Sequence, residues 1–317
     1  MANTLTNVRI GTRASALARW QTDHVLGLMR AHDPALAAEI VPFTTVGDDL
    51  VDAPLEVMDG TGFFSSTLER ALLAGEIDVA VHSYKDLPVA VTPGVTIACV
   101  PVRGPIEDVL CARDGLTLAQ LPAGARVGTS SLRRGAQLRA LRADLSYQPL
   151  RGNVPTRLMR VERGDLDAVV LARAGIERLG LGARATEVFT PELVLPAPAQ
   201  GAIAVQTRAD DLELIARLAA LDHTPTHQAV DAERELLHQL RGGCSVPVGA
   251  LARFQDGRVR LDAGVFALAG SPAYRIVVEG SSPAAVGAAA ARRLLDLGAG
   301  AILEALDRVP RVAADPA

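Results

Sequence analysis

The hydrophobic positions along the chain follow two alternating patterns. Residues 8–11 and 77–81 are short apolar runs with β-branched residues, which predict buried strands. Residues 15–30 and 63–74 carry apolar side chains at helical spacing, which predicts amphipathic helices. Further helices are predicted over residues 132–141, 210–220 and 226–240. Strands that alternate with helices in this way are typical of α/β domains.

Two phrases of sequence recur in the same order. RIGT at 9–12 returns as RVGT at 126–129, and GEIDVAV at 75–81 returns as GDLDAVV at 164–170. In the first phrase a glycine permits a tight turn between a strand and a helix, and the start of that helix offers N–H groups to an anion. Strand–turn–helix units also look alike by composition alone. Because both echoes keep their order, we predict two α/β domains of similar plan, each with an anion site.

Two proline-rich segments, PVRGP at 101–105 and LPAPAQG at 195–201, are stiff enough to connect domains. They predict a hinged pair of domains, in which the chain leaves the first domain and later returns to it. A small α+β third domain is predicted from strands near 248–254, 259–266 and 274–279 and a helix over 284–297. The expected domain boundaries are 1–101 with 200–221, 105–195, and 224–312.

The segment 44–62 is acidic, contains Gly and Pro, and shows no apolar period. A loop of this length inside a compact domain is usually a lid or disordered. We therefore predict a mobile lid at 44–62, and a loose tail after residue 310.

Composition narrows the class of protein. Of the 317 residues, 49% are hydrophobic and 21% charged, as in soluble globular proteins. A net charge of −4 and few aromatic residues argue against nucleic-acid binding. No uncharged apolar run reaches the ~18 residues of a membrane span, and the first residues do not resemble a signal peptide. Three cysteines are too few and too scattered for a disulfide frame or a zinc site, which favours a reducing cytoplasm.

The clearest candidate for chemistry follows the predicted strand 77–81. Lys85 is the only lysine in the chain, and it stands beside Asp86 at the carboxyl end of this strand. Ligands of open α/β sheets bind just past such strand ends. A turn with an ordinary salt bridge would also place a lysine beside an aspartate. The single occurrence and the position favour a functional site.

Several arginines lie at predicted helix starts or strand ends rather than along helix faces. Arg133 and Arg134 lie at the start of a helix, where a cation opposes the helix dipole, so they need another partner such as a bound anion. Ser15 caps the first helix, and Arg13 offers a forked donor beside it. Any one arginine could belong to a solvated face. Together the pattern favours a polyanionic ligand such as a polycarboxylate, and its members are Arg13, Arg133, Arg134, Arg151 and Arg157.

The cysteines fall into two kinds. Cys99 and Cys111 lie inside apolar runs and are predicted to be core residues. Cys244 lies in the glycine-rich loop GGCSVP at 242–247, where the glycines allow close approach and leave the sulfur accessible.

Seven phrases together resemble the porphobilinogen deaminase (hydroxymethylbilane synthase) family over nearly the whole chain. They are RIGTRAS, DVAVHSYKDLP, VGTSSLRR, LRGNVPTRL, LARAGIERLG, LPAPAQGA and GGCSVPVG. The resemblance implies an α/β protein of three domains. The first two domains resemble a two-lobed periplasmic binding protein, with mixed sheets and flanking helices, and the third is a small α+β domain.

The resemblance also implies the chemistry. A dipyrromethane cofactor, assembled from two porphobilinogen units, is joined by a thioether to Cys244. The enzyme adds four more porphobilinogens, releases ammonia at each addition, and frees 1-hydroxymethylbilane by hydrolysis. Each pyrrole carries an acetate and a propionate, so the growing chain accounts for the arginines. The expected protein is a cytoplasmic monomer of tetrapyrrole biosynthesis that needs no metal.

Roles for individual residues follow from the same resemblance. Asp86 matches the catalytic aspartate, whose carboxylate stabilises the cations formed during each addition and helps to move a proton. The matches to cofactor-carboxylate binders are Lys85, Thr129, Ser131, Arg133, Arg134 and Arg151. The matches to substrate-binding positions are Arg13, Ser15, Arg157, Arg178 and Gln200.

One phrase departs from the family, and one rival function stays open. Many members have KGLFxKELE where this chain has TGFFSSTLE at 61–69, so Thr61 and Ser66 replace two lysines. A role of those lysines in elongation is therefore in doubt here.

The rival is a non-catalytic two-lobed receptor for an anionic solute. It would explain the lobes and arginines but not Cys244 or the Lys85–Asp86 pair.

Overall fold

The computed structural model describes residues 7–43, 63–240 and 246–307. The predicted lid at 44–62, the tail after residue 310 and the loop segment 241–245 with Cys244 lie outside the described residues. Within the part of the chain that is described, no helix combines the length and the apolar character needed to cross a bilayer.

Strands and helices follow the alternation predicted from the sequence. The strands in chain order are β1 Val8–Arg13, β2 Ala38–Phe43, β3 Val79–Ser83, β4 Val95–Cys99, β5 Asp108–Ala112, β6 Arg126–Gly128, β7 Ser146–Gln148, β8 Ala168–Ala172, β9 Glu187–Phe189, β10 Ile203–Arg208, β11 Val248–Gln255, β12 Arg258–Phe266 and β13 Ala273–Gly280. The α-helices are α1 Ala16–His32, α2 Phe63–Leu73, α3 Leu132–Leu141, α4 Val154–Glu162, α5 Arg173–Arg178, α6 Leu212–Leu218, α7 Thr224–Gln239, α8 Pro283–Asp296 and α9 Ala299–Asp307.

The first sheet has five strands in the order β2-β1-β3-β10-β4. β1 is parallel to both β2 and β3, whereas β10 runs antiparallel to β3 and β4. The predicted strand at 77–81 is displaced toward the C-terminus, because pairing of Ser83 with Ile203 extends β3 to Ser83. Val25 and Leu26 of α1 pack on one face of this sheet, and Leu68 and Leu72 of α2 pack in a second cluster with Ala80.

The second sheet repeats this plan strand for strand. Its five strands lie in the order β7-β6-β8-β5-β9. β6 is parallel to β7 and β8, and β5 runs antiparallel to β8 and β9. Therefore β6 corresponds to β1, β8 to β3, and β5 to β10. The prediction of two α/β portions of similar plan is confirmed.

The two sequence echoes form the same arginine–aspartate contact in both sheets. Arg9 binds Asp78 through its backbone N–H (3.0 Å) and its guanidinium (2.9 and 3.1 Å). Arg126 binds Asp167 in the same way, at 2.8 Å from the backbone N–H and 3.2 and 3.4 Å from the guanidinium. In each sheet the carboxylate also accepts a second arginine. These second arginines are Arg208 at 3.2 Å from Asp78 and Arg113 at 2.5 Å from Asp167.

The echoed glycines belong to β1 and β6 and have no turn conformation, so the predicted turn at Gly11 is wrong; what they allow is close packing at these strands. A Cβ on Gly11 would lie 2.3 Å from Ile77 Cδ1, and a Cβ on Gly128 would lie 2.6 Å from Leu166 Cδ1. Ile77 and Leu166 are the residues that precede Asp78 and Asp167 in the second echo, and both are buried. The two phrases of each echo therefore pack against each other in the fold.

The third sheet is a three-stranded antiparallel meander, β11-β12-β13, covered by α8 and α9. Together with α7 it forms the predicted α+β portion. The described residues divide into two compact units: the chain up to Arg103 with Ala202–His227, and Gly104–Gly201 with the chain from Gln228 onwards. The second and third sheets share the second unit, where Ala136 and Leu195 pack with Leu251 and Phe266.

The chain leaves the first unit after Arg103 and returns to it at Ala202. Both positions lie in or directly after the proline-rich segments predicted as crossings. On the second unit the two segments are joined by a hydrogen bond from Gly104 N to Gly201 O at 3.1 Å. Gly201 has φ +86°, and a Cβ there would lie 2.6 Å from the Pro105 carbonyl oxygen, so only glycine fits this position.

Candidate active site

In the first unit, all of the predicted site residues lie at one edge of the sheet, namely the edge formed by the carboxyl ends of its parallel strands. Arg13 is the last residue of β1, and Ser15 is the N-cap of α1, where its side chain accepts from Ala18 N at 3.3 Å. Lys85 and Asp86 belong to a single 3-10 turn directly after β3. Because β1 and β3 are neighbouring parallel strands, their carboxyl ends meet at this edge.

Hydrogen bonds of neighbouring residues fix the turn that carries Lys85 and Asp86. Tyr84 is buried, and its backbone N–H donates to the Ala202 carbonyl at 3.1 Å. Directly before the turn, the Ser83 hydroxyl and the Gln21 side chain are joined at 2.8 Å. Lys85 is half-buried, whereas Asp86 is exposed. The backbone of this turn is therefore fixed while the carboxylate of Asp86 faces solvent.

His82 adds a titratable group below this edge. Burial is the main cause that lowers the pKa of His82 to about 4; the Gln206 side chain opposes the shift and the charge of Arg13 adds to it. Gln206 is buried and donates to Glu69 at 2.9 Å, and Glu69 accepts from Thr92 at 2.8 Å. The imidazole is therefore neutral near pH 7, beside a predicted substrate-binding arginine.

In the second unit, the predicted residues follow the parallel strands β6, β7 and β8 or the crossing segment. Thr129 and Ser131 come directly after β6, and Ser131 caps α3 by accepting from Arg134 N at 3.4 Å. The Ser130 hydroxyl ties this loop to the next by accepting from Leu150 N at 2.7 Å. The remaining predicted residues are Arg151 after β7, Arg157 in α4, Arg178 at the end of α5, and Gln200 in the crossing segment.

Asp108 is the centre of this second group, although it is not among the residues predicted from the sequence. Its side chain is fully buried at the start of β5. Oδ2 accepts from Arg133 Nη1 at 2.7 Å, and Oδ1 accepts from Arg134 Nη2 at 2.7 Å and Nε at 2.9 Å. Oδ1 also accepts from Gln200 Nε2 at 2.9 Å. One carboxylate thus gathers three predicted ligand-binding residues.

The charges of this cluster do not balance. Burial alone would raise the pKa of Asp108, but the charges and hydrogen bonds of Arg133 and Arg134 hold it well below its usual range. Arg133 and Arg134 are themselves buried, with 3% and 7% of their surface exposed. Among the described residues, Asp108 is the carboxylate that both guanidinium groups contact. Two buried cations therefore share one anion, and the anion predicted for this helix start is partly supplied from within the protein.

Gln200 and Arg178 connect this cluster to the crossing segment. Gln200 is fully buried and also donates to the Ile106 carbonyl at 2.8 Å. Arg178 Nη2 donates to the Gly201 carbonyl at 2.7 Å, and burial lowers the pKa of Arg178 to about 10. Gln137 binds both the N–H and the carbonyl of Leu195, at 2.8 and 3.1 Å. The crossing segment is therefore anchored at both ends.

The two cysteines that the structure describes are core residues, as predicted. Cys99 is fully buried and Cys111 is 3% exposed. Burial raises the pKa of Cys99 to about 12 and that of Cys111 to about 11, so neither is a reactive thiolate. Cys244 lies outside the described residues, and its accessibility stays a prediction.

Family comparisons bear directly on these residues. Residues 8–216 match the family model described as "Porphobilinogen deaminase, dipyromethane cofactor binding domain". Residues 227–296 match "Porphobilinogen deaminase, C-terminal domain". The first match includes every predicted site residue except Cys244, and that cysteine lies within the second.

Curated relatives carry the same name. The chain is 48% identical over 298 residues to porphobilinogen deaminase of Desulforudis audaxviator, covering 93% of this chain and 96% of the relative. It is 48% identical over 307 residues to the enzyme of Mycobacteroides abscessus, covering 93% and 99%. The enzyme of Thermobifida fusca is 51% identical over 272 residues, covering 85% and 84%.

The matches among solved structures are more distant. They include the VFT2 domain of Bordetella pertussis BvgS, at 19% identity and a TM-score of 0.40, covering 68% of this chain and 86% of that domain. An ancestral arginine-binding protein bound to arginine is 17% identical, with a TM-score of 0.37, covering 68% and 90%. By the two family models and the curated relatives, the chain belongs to the porphobilinogen deaminase family.

Proposed function

We propose that this enzyme of tetrapyrrole biosynthesis joins four porphobilinogen molecules head to tail, with loss of ammonia at each addition. The chain grows on a dipyrromethane held by a thioether to Cys244, and hydrolysis releases 1-hydroxymethylbilane. The observation that carries this proposal is the buried cluster of Asp108, Arg133 and Arg134. Its unbalanced positive charge calls for an anion from outside the protein.

The donor set fits a dipyrromethane, whose two rings carry four carboxylates. Arg133 and Arg134 supply charge at the buried cluster, while Thr129 and Ser131 supply hydroxyl donors at the same helix start. The other cofactor-binding residues of the proposal are Lys85 and Arg151. When bound, the cofactor supplies the nucleophilic pyrrole to which the first substrate is added.

Asp86 carries the chemistry in this proposal. Loss of ammonia from porphobilinogen leaves a cation, and a fixed carboxylate beside the pyrrole N–H stabilises that charge. The same carboxylate helps to remove the proton that the attacking ring must lose. Asp86 suits both roles, because it is exposed to an incoming substrate on a turn whose backbone is anchored by Tyr84.

Arginine, hydroxyl and amide donors select the substrate by its acetate and propionate groups. Their proposed members are Arg13, Ser15, Arg157, Arg178 and Gln200. Neutral His82 beside Arg13 adds no second positive charge at this position near pH 7. The guanidinium of Arg13 is therefore the charged donor there for a substrate carboxylate.

The organisation of the chain completes the proposal. The domains are 1–101 with 200–221, 105–195, and 224–312, and the enzyme acts as a cytoplasmic monomer. The chain contains a single lysine, Lys85, so arginines take over any part of the lysines that other family members carry at positions 61 and 66.

Intact-mass measurement of the purified protein tests the function. We expect an excess equal to two linked pyrrole units, and release of ammonia together with a tetrapyrrole when porphobilinogen is added. Cys244→Ala should have the unmodified mass and no turnover. The matched control Cys111→Ala changes a buried core thiol and should keep the added mass. An unmodified wild type without ammonia release would support the non-catalytic receptor instead.

A further inference from the structure

The twin sheets show that the fold does not need a carboxylate at position 108. Asp108 pairs with Ala172 in the second sheet, as Ile203 pairs with Ser83 in the first. The equivalent position of the first sheet is therefore a buried isoleucine. Burying a carboxylate is costly unless it is paired, and an apolar residue performs the same structural task in the twin.

What Asp108 does instead is join side chains from separate segments. Arg133 and Arg134 come from the first turn of α3, and Gln200 comes from the crossing segment. Without a shared acceptor the two guanidinium groups would repel each other in a water-poor environment. Hydrogen bonds to both carboxylate oxygens fix each guanidinium in one orientation.

We propose that Asp108 is a positioning residue for cofactor binding. It orients Arg133, Arg134 and Gln200 and reduces the charge of the cluster from two positive charges to one, which suits one further carboxylate. This inference rests on the proposed function, because the carboxylate it prepares for is one of those on the dipyrromethane. Asp108 contacts the arginines and does not itself touch the substrate.

The test compares Asp108→Asn and Asp108→Glu with Asp167→Asn. The Asn variant keeps the shape but removes the charge. The Glu variant keeps the charge but moves the carboxylate by one methylene, and a displacement of about 1 Å can cost ~100-fold in activity. Asp167 is the matched control, because it also binds two arginines on the second sheet but lies at the opposite end of β8.

The measurements are the fraction of folded protein that carries the two-pyrrole mass, and KM and kcat for porphobilinogen. Folded Asp108 variants should show at least a tenfold lower loaded fraction or a tenfold higher KM. Asp167→Asn should lose thermal stability but load like the wild type. A residue with a merely structural role would lower the stability of all three variants and leave the loading and KM of the folded fraction unchanged.

Chemical rescue supplies a second readout. Asp108→Gly opens a space where formate can take the place of the missing carboxylate. Added formate should raise loading in this variant, whereas acetamide, which is neutral, should not. If both Asp108→Glu and Asp108→Asn load normally, or formate has no effect on Asp108→Gly, the inference is wrong. If the wild type itself carries no pyrrole mass, the proposed function has failed instead.

Discussion

The first and second sheets share their strand order and the arginine–aspartate contact at the amino ends of β3 and β8. They differ at the carboxyl ends of these two strands. At the shared end, Asp78 and Asp167 each bind two arginines. At the carboxyl end of β3, the first sheet continues into the turn with Lys85 and Asp86. In the second sheet, α5 stands in the place of that turn.

The register makes this difference specific. Ser83 and Ala172 hold equivalent positions, so Lys85 and Asp86 of the first sheet correspond to Ala174 and Gly175 of the second. The second sheet has its buried carboxylate at Asp108 instead, on the strand next to β8. One scaffold therefore presents an exposed carboxylate in one unit and a buried, arginine-bound carboxylate in the other. We therefore expect the two ends of each sheet to serve separate purposes, with stability at the Asp78 and Asp167 end and ligand chemistry at the other.

The largest effect is expected for Asp86→Asn. Turnover should fall by roughly 100- to 1,000-fold, because the amide cannot stabilise a developing cation or accept the proton. The assay is ammonia release at saturating porphobilinogen, with cofactor occupancy checked by intact mass. Asp78→Asn, at the opposite edge of the same sheet, is the control and should keep kcat within about threefold. Turnover of Asp86→Asn near the wild-type rate would contradict the separation of the two edges.

The next effect concerns the arginine–aspartate contact that both sheets share. Asp78→Asn and Asp167→Asn should each lower the free energy of unfolding by about 2–3 kcal/mol, because each removes an acceptor shared by two arginines. Urea unfolding of both variants measures it. Since this contact is the same in both sheets, the two decreases in the free energy of unfolding should agree within about 1 kcal/mol. A loss confined to one variant would break the equivalence.

A smaller and pH-dependent effect distinguishes the sheets at His82, whose equivalent in the second sheet is Leu171. Burial holds the pKa of His82 at about 4, below the 6.5 of the unfolded chain. Between these values the unfolded state binds a proton that the folded state does not, so stability falls as the pH drops from 6.5 to 4. The loss should reach ~1–3 kcal/mol.

The variant His82→Leu tests this difference by importing the residue of the second sheet. Urea unfolding at several pH values between 4 and 6.5 should show a flatter profile for His82→Leu than for the wild type. Asp78 and Asp167 have lowered pKa values, so their contributions are lost only as the pH falls below about 3.8, and they do not obscure this window. An unchanged slope in the variant would show that His82 is not the titrating group.

The smallest effect is expected at the echoed glycines. Gly11→Ala and Gly128→Ala should each cost about 1–2 kcal/mol of stability, because the new methyl group displaces the ends of Ile77 and Leu166. Gly27→Ala in α1 is the control, since a Cβ there meets nothing within 4 Å, and it should stabilise by roughly 0.5–1 kcal/mol. Thermal unfolding compares the three, and a stabilised Gly11→Ala would contradict the packing of the two phrases.

Local signals were enough to predict much of this fold. Helix spacing located α1, α2 and α3, and Ser15 is the N-cap that its sequence position indicates. The repeated phrases predicted the twin plan, because each contains the residues that pack against each other. The three strands of the third sheet lie within about a residue of the predicted ranges.

Pairing across the sheet could not be predicted in the same way. The strands β7 and β9 have only three residues each, and β5 and β9 pair with each other although they are distant in sequence. Asp108 was missed for the same reason, since a single acidic residue before an apolar run is typical of a strand end. Only the fold brings Arg133 and Gln200 to it. The one available signal was the surplus of arginines at 133 and 134, which indicated an anion but not its source.

The return of the chain to the first sheet has a consequence for synthesis on the ribosome. β10 lies between β3 and β4, so the first sheet stays incomplete until residues beyond Arg208 have been translated. All strands of the second sheet fall within Gly104–Gly201 and emerge earlier. At usual translation rates this region takes roughly 5–20 s to make, during which β3 and β4 wait with unpaired edges. Nascent chains arrested before β10 should therefore expose the amino-terminal strands to chaperones, although they were made first.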